Sequence, residues 1–140
     1  MDTNIDTSMD KRLEKYSIDT RPYWEALQQQ RLVIQQCADC GICRHYPQPM
    51  CAHCHSTAVQ WRTVAGSGAV HSWTITHQTA IPGFAGQVPY VFATVDLPEG
   101  VRIAAPLRRV LHTELRLGLP VRLVFETSVD GAVLPAFEPA

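Results

Sequence analysis

The stretch that decides the fold is "CADCGICRHYPQPMCAHC", residues 37–54, which holds all five cysteines of a 140-residue chain. Cys37 and Cys40 form one C-x-x-C pair and Cys51 and Cys54 a second, with ten residues between them. A C-x-x-C turn aims two sulfurs at one point, and two such turns together supply the four thiolates that zinc takes in a tetrahedron. Small or polar residues follow each pair (Gly41; His55 and Ser56), as a tight chain reversal around a metal requires. Disulfides need an oxidising compartment. The N-terminal "MDTNIDTSMDKRLEKYSIDT" has no apolar stretch and does not read as a secretory signal, so a cytoplasmic protein is expected. A redox dithiol would show one C-x-x-C beside a βαβ pattern, and no such pattern is present.

Cys43, His45, His53 and His55 share the window, and each has the donor chemistry to replace a sulfur. The paired spacing favours Cys37, Cys40, Cys51 and Cys54, with Cys43 as a small buried thiol in the arm between the pairs. Four thiolates on one zinc make a closed structural site with no position left for water or substrate. The expected cofactor is therefore one structural Zn2+, and function has to be sought outside the cysteines.

Working outward, residues 1–18 are polar without a clear period and read as a flexible arm. In "DTRPYWEAL" either Asp19 or Thr20 can cap a helix, Pro22 suits its first turn, and Glu25 favours the positive end of the dipole. Tyr23, Trp24 and Leu27 would share its buried face, and the helix should end near Gln30. "RLVIQQC" reads as a strand leading into the first cysteine pair. Residues 19–58 thus form a helix and zinc-ribbon region, and 59–140 a β region.

In that β region, "VQWRTVA" runs into the turn "GSG". "AVHSWTIT" then alternates, with His71, Trp73 and Ile75 on one face and Val70, Ser72 and Thr74 on the other. "YVFATVDL", closed by "PEG", and "VRIAAPL" follow, then a connector over 108–119. "VRLVFE" and "AVLPAF" flank the turn "VDG". About five short strands with no intervening helices favour a small closed barrel, for which the five-stranded OB-fold is the best candidate. The fold class is mainly β, with a short N-terminal helix, a zinc ribbon and a C-terminal barrel.

The order "RPYWEAL…RLVIQQC", "CADCG…CAHC", "GSGAVHSWTIT", "IPGFAGQVPYVFATVDLPEG" and "LRLGLPVRLVFE" resembles the zinc-ribbon/OB-fold acyl-CoA-associated proteins, long known as a domain of unknown function. The resemblance covers residues 19–138. It implies a rubredoxin-like zinc ribbon and an OB barrel in an accessory chain. Such chains scaffold thiolase-like enzymes, synthases, sterol-side-chain aldolases or acyl-CoA hydratases and assist acyl-CoA binding or channelling. "QQQRL" lacks the glycine that such chains often carry before the Arg-Leu.

Two surfaces are candidate contacts with a partner enzyme or acyl-CoA. The loop "QTAIPGFAGQVP" carries Ile81, Phe84 and Val88 among glycines and prolines, where apolar side chains either cap the barrel or anchor a partner. "RRVLHTELR" offers Arg108, Arg109, His112 and Arg116, with Arg44 and Arg62 flanking the ribbon, and arginine forks suit phosphates. Trp24, Trp61 and Trp73 read as packing residues.

No catalytic constellation emerges, so an enzyme in its own right is not expected. His71 and His77 would lie about 20 Å apart along an extended strand. Cys43 and His45 lack an orienting third group. The alternative from another class is a module binding single-stranded nucleic acid, since ribbons and OB barrels both serve there. The formal net charge is −1, and "AVHSWTIT" and "YVFATVDL" contain no Lys or Arg. No lysine follows Lys15, so a phosphate-tracking surface is not expected. No run of 18 apolar residues occurs, which excludes a spanning helix.

Overall fold

The computed structural model describes residues 17–80, 85–128 and 130–140. The expected arm over 1–18 therefore falls almost wholly outside the described residues. The chain divides into two compact units, 1–64 with 125–134, and 65–124 with 135–140.

Among the described residues, the first unit begins with α1 (Arg21–Gln28). Thr20 stands at its N-cap but turns its hydroxyl back to the Ser17 carbonyl, 3.2 Å away, and a proline occupies the first turn. The buried face is Tyr23, Ala26 and Leu27, with Trp24 half-buried beside it. The helix stops where Gln30 takes φ 58°. Arg31 N–H then donates to the Ala26 carbonyl and Gln30 N–H to the Leu27 carbonyl, both at 2.9 Å, a Schellman closure.

Three strands follow: β1 (Val33–Cys37), β2 (Cys43–Arg44) and β3 (Val59–Thr63), ordered β2-β1-β3. The "VQWRTVA" segment at the start of the 59–140 region thus supplies β3, antiparallel to β1 with Ile34 opposite Arg62. Leu32, Ile34 and Leu27 are fully buried. Each such side chain contributes roughly 1.5–3 kcal/mol by leaving water.

The second unit carries most of a closed barrel in the order β4-β5-β6-β8-β7, with β6 and β8 parallel. Its strands are β4 (Ser67–Thr76), β5 (Tyr90–Asp96), β6 (Arg102–Leu107), β7 (Pro120–Thr127) and β8 (Val133–Pro139). This is the five-stranded OB arrangement expected from the turn spacing. Val91, Ala93 and Val95 of β5 and Ile103, Ala105 and Leu107 of β6 fill the interior with Val121 and Phe137, all buried. Glycine permits the reversal of "PEG": Gly100 has φ 91° and donates to the Leu97 carbonyl at 3.0 Å.

The expected alternation in β4 is corrected. Val70 pairs with Val95 and Ser72 with Thr94, leaving His71 as an extra residue in a bulge. The bulge shifts the facing by one position. Val70 is consequently buried, His71 is exposed, and Trp73 and Ile75 lie opposite the buried Ala93 and Val91.

Candidate metal centre and surrounding surfaces

The two cysteine pairs sit in knuckles with one hydrogen-bond plan. In the first, Gly41 N–H donates to the Cys37 carbonyl and Cys37 N–H to the Ile42 carbonyl. In the second, His55 N–H donates to Cys51 and Cys51 N–H to Ser56, and all four bonds are 2.9 Å. The residue four beyond the leading cysteine is left-handed in both, Gly41 at φ 80° and His55 at φ 65°. Ser56 hydroxyl donates to the Asp39 carboxylate, tying one knuckle to the other, while Ala58 N–H donates to Ser56 Oγ at 3.0 Å.

The ligand atoms of Cys37, Cys40, Cys51 and Cys54 all lie within 4.8 Å of one another. Sγ of Cys37 and Cys54 are 3.5 Å apart, and those of Cys40 and Cys51 3.7 Å. A tetrahedron with zinc–sulfur bonds of about 2.3 Å has edges of about 3.8 Å, so the donor set fits one zinc. The cysteines are free thiols. In each knuckle the second cysteine's backbone N–H is the main influence on the first: Cys40 N–H holds the Cys37 thiol down to about 6, and Cys54 N–H lowers Cys51. Cys40 and Cys54 are raised instead, against the lowering by the Ile42 and Ser56 N–H groups, by burial and the neighbouring sulfurs, so a divalent cation supplies the charge that lets all four ionise together. The cluster is the metal site of a zinc ribbon and takes one structural zinc.

Neither Cys43 nor the three histidines belong to this set. Cys43 is half-buried in β2, with Arg62 Nη1 at 3.8 Å from its sulfur. His45 packs on Tyr23 and Tyr46, and burial pushes its imidazole down to about 4. The buried Gln35 amide oxygen accepts from Arg44 Nε and Gln48 N–H, each at 2.7 Å. Gln35 and the Asp39–Ser56 tie were not singled out from sequence, because a polar residue in a strand and an Asp in a turn have no distinctive spacing.

Ile81 and Phe84 lie outside the described residues. Val88 is half-buried and lines an open recess of about 630 Å³ with Gln78, Thr79 and Ala80. Arg108 Nη2 reaches Gln87 Oε1 at 3.3 Å. Arg109, at φ 54°, pairs with Glu138, which also receives Arg122 Nε at 2.8 Å. The arrangement brings Arg122 and Glu138 to the predicted arginine site, and neither was expected there.

Two family descriptions match the chain: "ChsH2, rubredoxin-like zinc ribbon domain" over residues 24–60 and "ChsH2, C-terminal OB-fold domain" over 61–126. A solved structure described as "Ltp2-ChsH2(DUF35) aldolase" contains a chain 37% identical, with TM-score 0.82, covering 89% of this chain and 97% of that one. This chain belongs to the ChsH2/DUF35 zinc-ribbon and OB-fold family. The DUF35 fold extends to a Sulfolobus solfataricus protein at TM-score 0.62 and 14% identity, a likeness of fold alone.

Curated relatives carry informative names. A "probable enoyl-CoA hydratase alpha subunit" of Thermomonospora curvata is 40% identical over 87% of this chain. A "3-oxo-4,17-pregnadiene-20-carboxyl-CoA hydratase alpha subunit" of Mycobacterium tuberculosis is 35% identical over 88%. The chain spans 38% of the length of each of those two. A "DUF35 domain-containing scaffold protein" of Methanocaldococcus jannaschii is 28% identical over 73% of this chain and 75% of its own. Among the described residues no helix is long and apolar enough to cross a membrane.

Proposed function

We propose that this chain is a noncatalytic, cytoplasmic accessory subunit of a CoA-ester enzyme that makes or breaks carbon–carbon bonds, thiolase-like or an aldolase, and that it assists acyl-CoA binding. One observation carries the reading: the chain matches nearly the whole length of a polypeptide in an aldolase complex at 37% identity. The hydratase alpha subunits among its relatives support a place in a CoA-ester enzyme, and the scaffold protein supports the accessory role. The chemistry of the chain agrees. Four of its five cysteines are absorbed by a closed four-sulfur site, which supports the fold and offers no position to a substrate.

The proposed contacts are the loop carrying Ile81, Phe84 and Val88, with the recess beside Val88 as its described part. Arg108 and Arg109 form the second proposed contact. Arg109 keeps donors free beyond its bond to Glu138, since its side chain is 73% exposed. An exposed guanidinium held in place by a carboxylate loses little further freedom on meeting a phosphate.

Affinity isolation of the full chain from its own cells, with mass spectrometry of what is retained, tests the reading. Recovery of a thiolase-like, synthase or aldolase subunit in fixed ratio is the expected result. Recovery of nucleic acid or ribosomal proteins in its place would overturn it.

A further inference from the structure

The ion pairs at Glu138 differ from an ordinary surface pair in which member is buried. Asp96 of β5 and Arg102 of β6 are each half-exposed, so water screens both charges of that pair alike. At Glu138 the carboxylate side chain is only 9% exposed, while Arg109 and Arg122 are 73% and 65% exposed. Solvent therefore meets two guanidinium groups tied to one buried anion. Each takes its own carboxylate oxygen. Arg109 Nη1 donates to Oε1, and Arg122 donates to Oε2 through Nη2 and through Nε at 2.8 Å. A guanidinium has five N–H donors. Arg109 commits one of them to Glu138 and Arg122 two, which leaves the remainder for a ligand. Two further features set the pair apart. Arg109 takes φ 54°, a left-handed backbone that a non-glycine residue adopts only at a cost, and such strain gathers at binding sites. The stretch 101–124 holds five arginines and one acid, Glu114, in a chain of net charge −1. Glu114 turns its carboxylate to the Leu111 N–H at 2.7 Å, Arg102 is committed to Asp96, and Arg108 reaches Gln87.

We infer that Arg109 and Arg122, where they meet on Glu138, form a phosphate-binding site that takes the 3′-phosphate of a CoA ester. The inference rests on the accessory-subunit reading above for the identity of the ligand, and it gives that ligand a specific anchor. A phosphomonoester suits the site in charge and in shape. The buried carboxylate offsets one of the two cations, and the other is left to attract an anion. A terminal phosphoryl group offers three free oxygens, against two on each phosphate of a diester or diphosphate, and so serves two arginine forks at once. The 3′-phosphate also stands at the opposite end of CoA from the thioester. It can therefore rest on a solvent-facing pair of arginines while the acyl group lies in the enzyme subunit.

The full zinc-loaded chain is titrated by calorimetry with CoA, dephospho-CoA, inorganic phosphate and a single-stranded oligonucleotide. The titrations are made on the chain alone and on its complex with the enzyme subunit recovered in the isolation above. Arg109→Ala and Arg122→Lys are compared with wild type, with zinc content and melting curves as controls on folding. Arg122→Lys keeps a cation beside Glu138, so the buried carboxylate is not left unpaired. Wild type should bind CoA about 10-fold or more tightly than dephospho-CoA, as for a charge-assisted hydrogen bond. Arg109→Ala should lose that preference and Arg122→Lys most of it, while affinity for dephospho-CoA stays as in wild type. No preference in wild type, alone and in the complex, overturns the site and leaves the accessory reading standing. An unchanged preference in both folded variants, or an equal loss for CoA and dephospho-CoA, does the same. Inorganic phosphate that displaces CoA mole for mole assigns the pair to free phosphate, and oligonucleotide binding abolished by Arg109→Ala assigns it to nucleic acid. Either of these two results overturns the inference. A wild type that retains no CoA-ester enzyme subunit in the isolation overturns the accessory reading and, with it, the ligand named here.

Discussion

Gln30 shows how one residue closes an element. It holds the left-handed position of the Schellman turn after α1, at φ 58°, where the resemblance to acyl-CoA-associated chains leads one to expect glycine. A non-glycine residue there costs about 1 kcal/mol, and glycine's greater freedom in the unfolded chain takes back roughly half of that. Gln30→Gly should therefore stabilise the protein by about 0.5 kcal/mol and raise the melting temperature by about 2 °C. Gln30→Val should lose at least 1 kcal/mol, because a β-branched side chain fits this backbone worst. Thermal melts of the two variants check the opposite signs. The cysteines were the most legible residues of the chain, since a quartet at paired spacing has few physical uses. Gln30 was not legible: its role is set by φ, and glutamine is compatible with a helix interior or its end. The outward facing of Phe92 in β5 was legible in principle. Val91, Ala93 and Val95 alternate around it, so placing those three inward forces the ring outward.

At the scale of elements, β4 is held against β5 by an approach that only glycine allows. A Cβ on Gly68 would stand 2.5 Å from Val95 Cγ1 and 3.1 Å from the Asp96 carbonyl oxygen. Gly68→Ala should thus cost about 2–3 kcal/mol, through overpacking against buried side chains and backbone. Chemical denaturation measures this, and adding Val95→Ala should recover part of the loss, because the two changes share one contact. Three further segments meet at Glu138 of β8, which pairs with Arg122 of β7 and with Arg109 after β6. The hydrogen bond from Arg122 is the main cause that holds the Glu138 carboxyl below its usual range, with Arg109 adding to it. A carboxyl whose folded value lies below its unfolded one stabilises the fold above the unfolded value. That contribution is lost as pH falls from the ordinary carboxylate range through the lowered one. Glu138→Gln should accordingly melt at a lower temperature than wild type at pH 7, and the gap should close as acidification protonates the wild-type carboxyl. A gap unchanged down to the acid limit of folding would remove the ion pairs from the account. The strand pattern predicted the barrel and its turns, because alternation and glycine are local signals. The bulge at His71 escaped it, since nothing in "AVHSWTIT" distinguishes an extra residue from an alternating one. The pairing of β3 with β1 escaped for a related reason: "VQWRTVA" reads as a strand with no indication of its neighbour.

The whole molecule divides in a way that the chain order conceals. Residues 125–134, the far parts of β7 and β8 with their turn, group with the helix and ribbon and not with the rest of the strands. Gln28 accounts for part of this. Its Nε2 donates to the Val133 carbonyl at 3.4 Å, and Val133 N–H donates to its Oε1 at 3.1 Å, across 105 residues of sequence. No local pattern announces such a bond, since a glutamine at the end of a helix is ordinary. The ribbon depends on its metal, because a segment this short cannot bury enough apolar surface to hold two knuckles closed. Cys37→Ser and Cys54→Ser should each lose the zinc, as elemental analysis would show. Removing zinc with a chelator at neutral pH should then expose the ribbon amides of 33–63 to rapid hydrogen exchange. The barrel amides of 91–95 and 103–107, which lie in the other unit, should stay protected. Residues 125–134 are the discriminating probe. If the unit division governs stability, their amides lose protection together with the ribbon, although 125–127 and 133–134 belong to barrel strands. If they stay protected with 91–95, strand pairing outweighs the bonds to α1, and the barrel survives loss of the metal as one body.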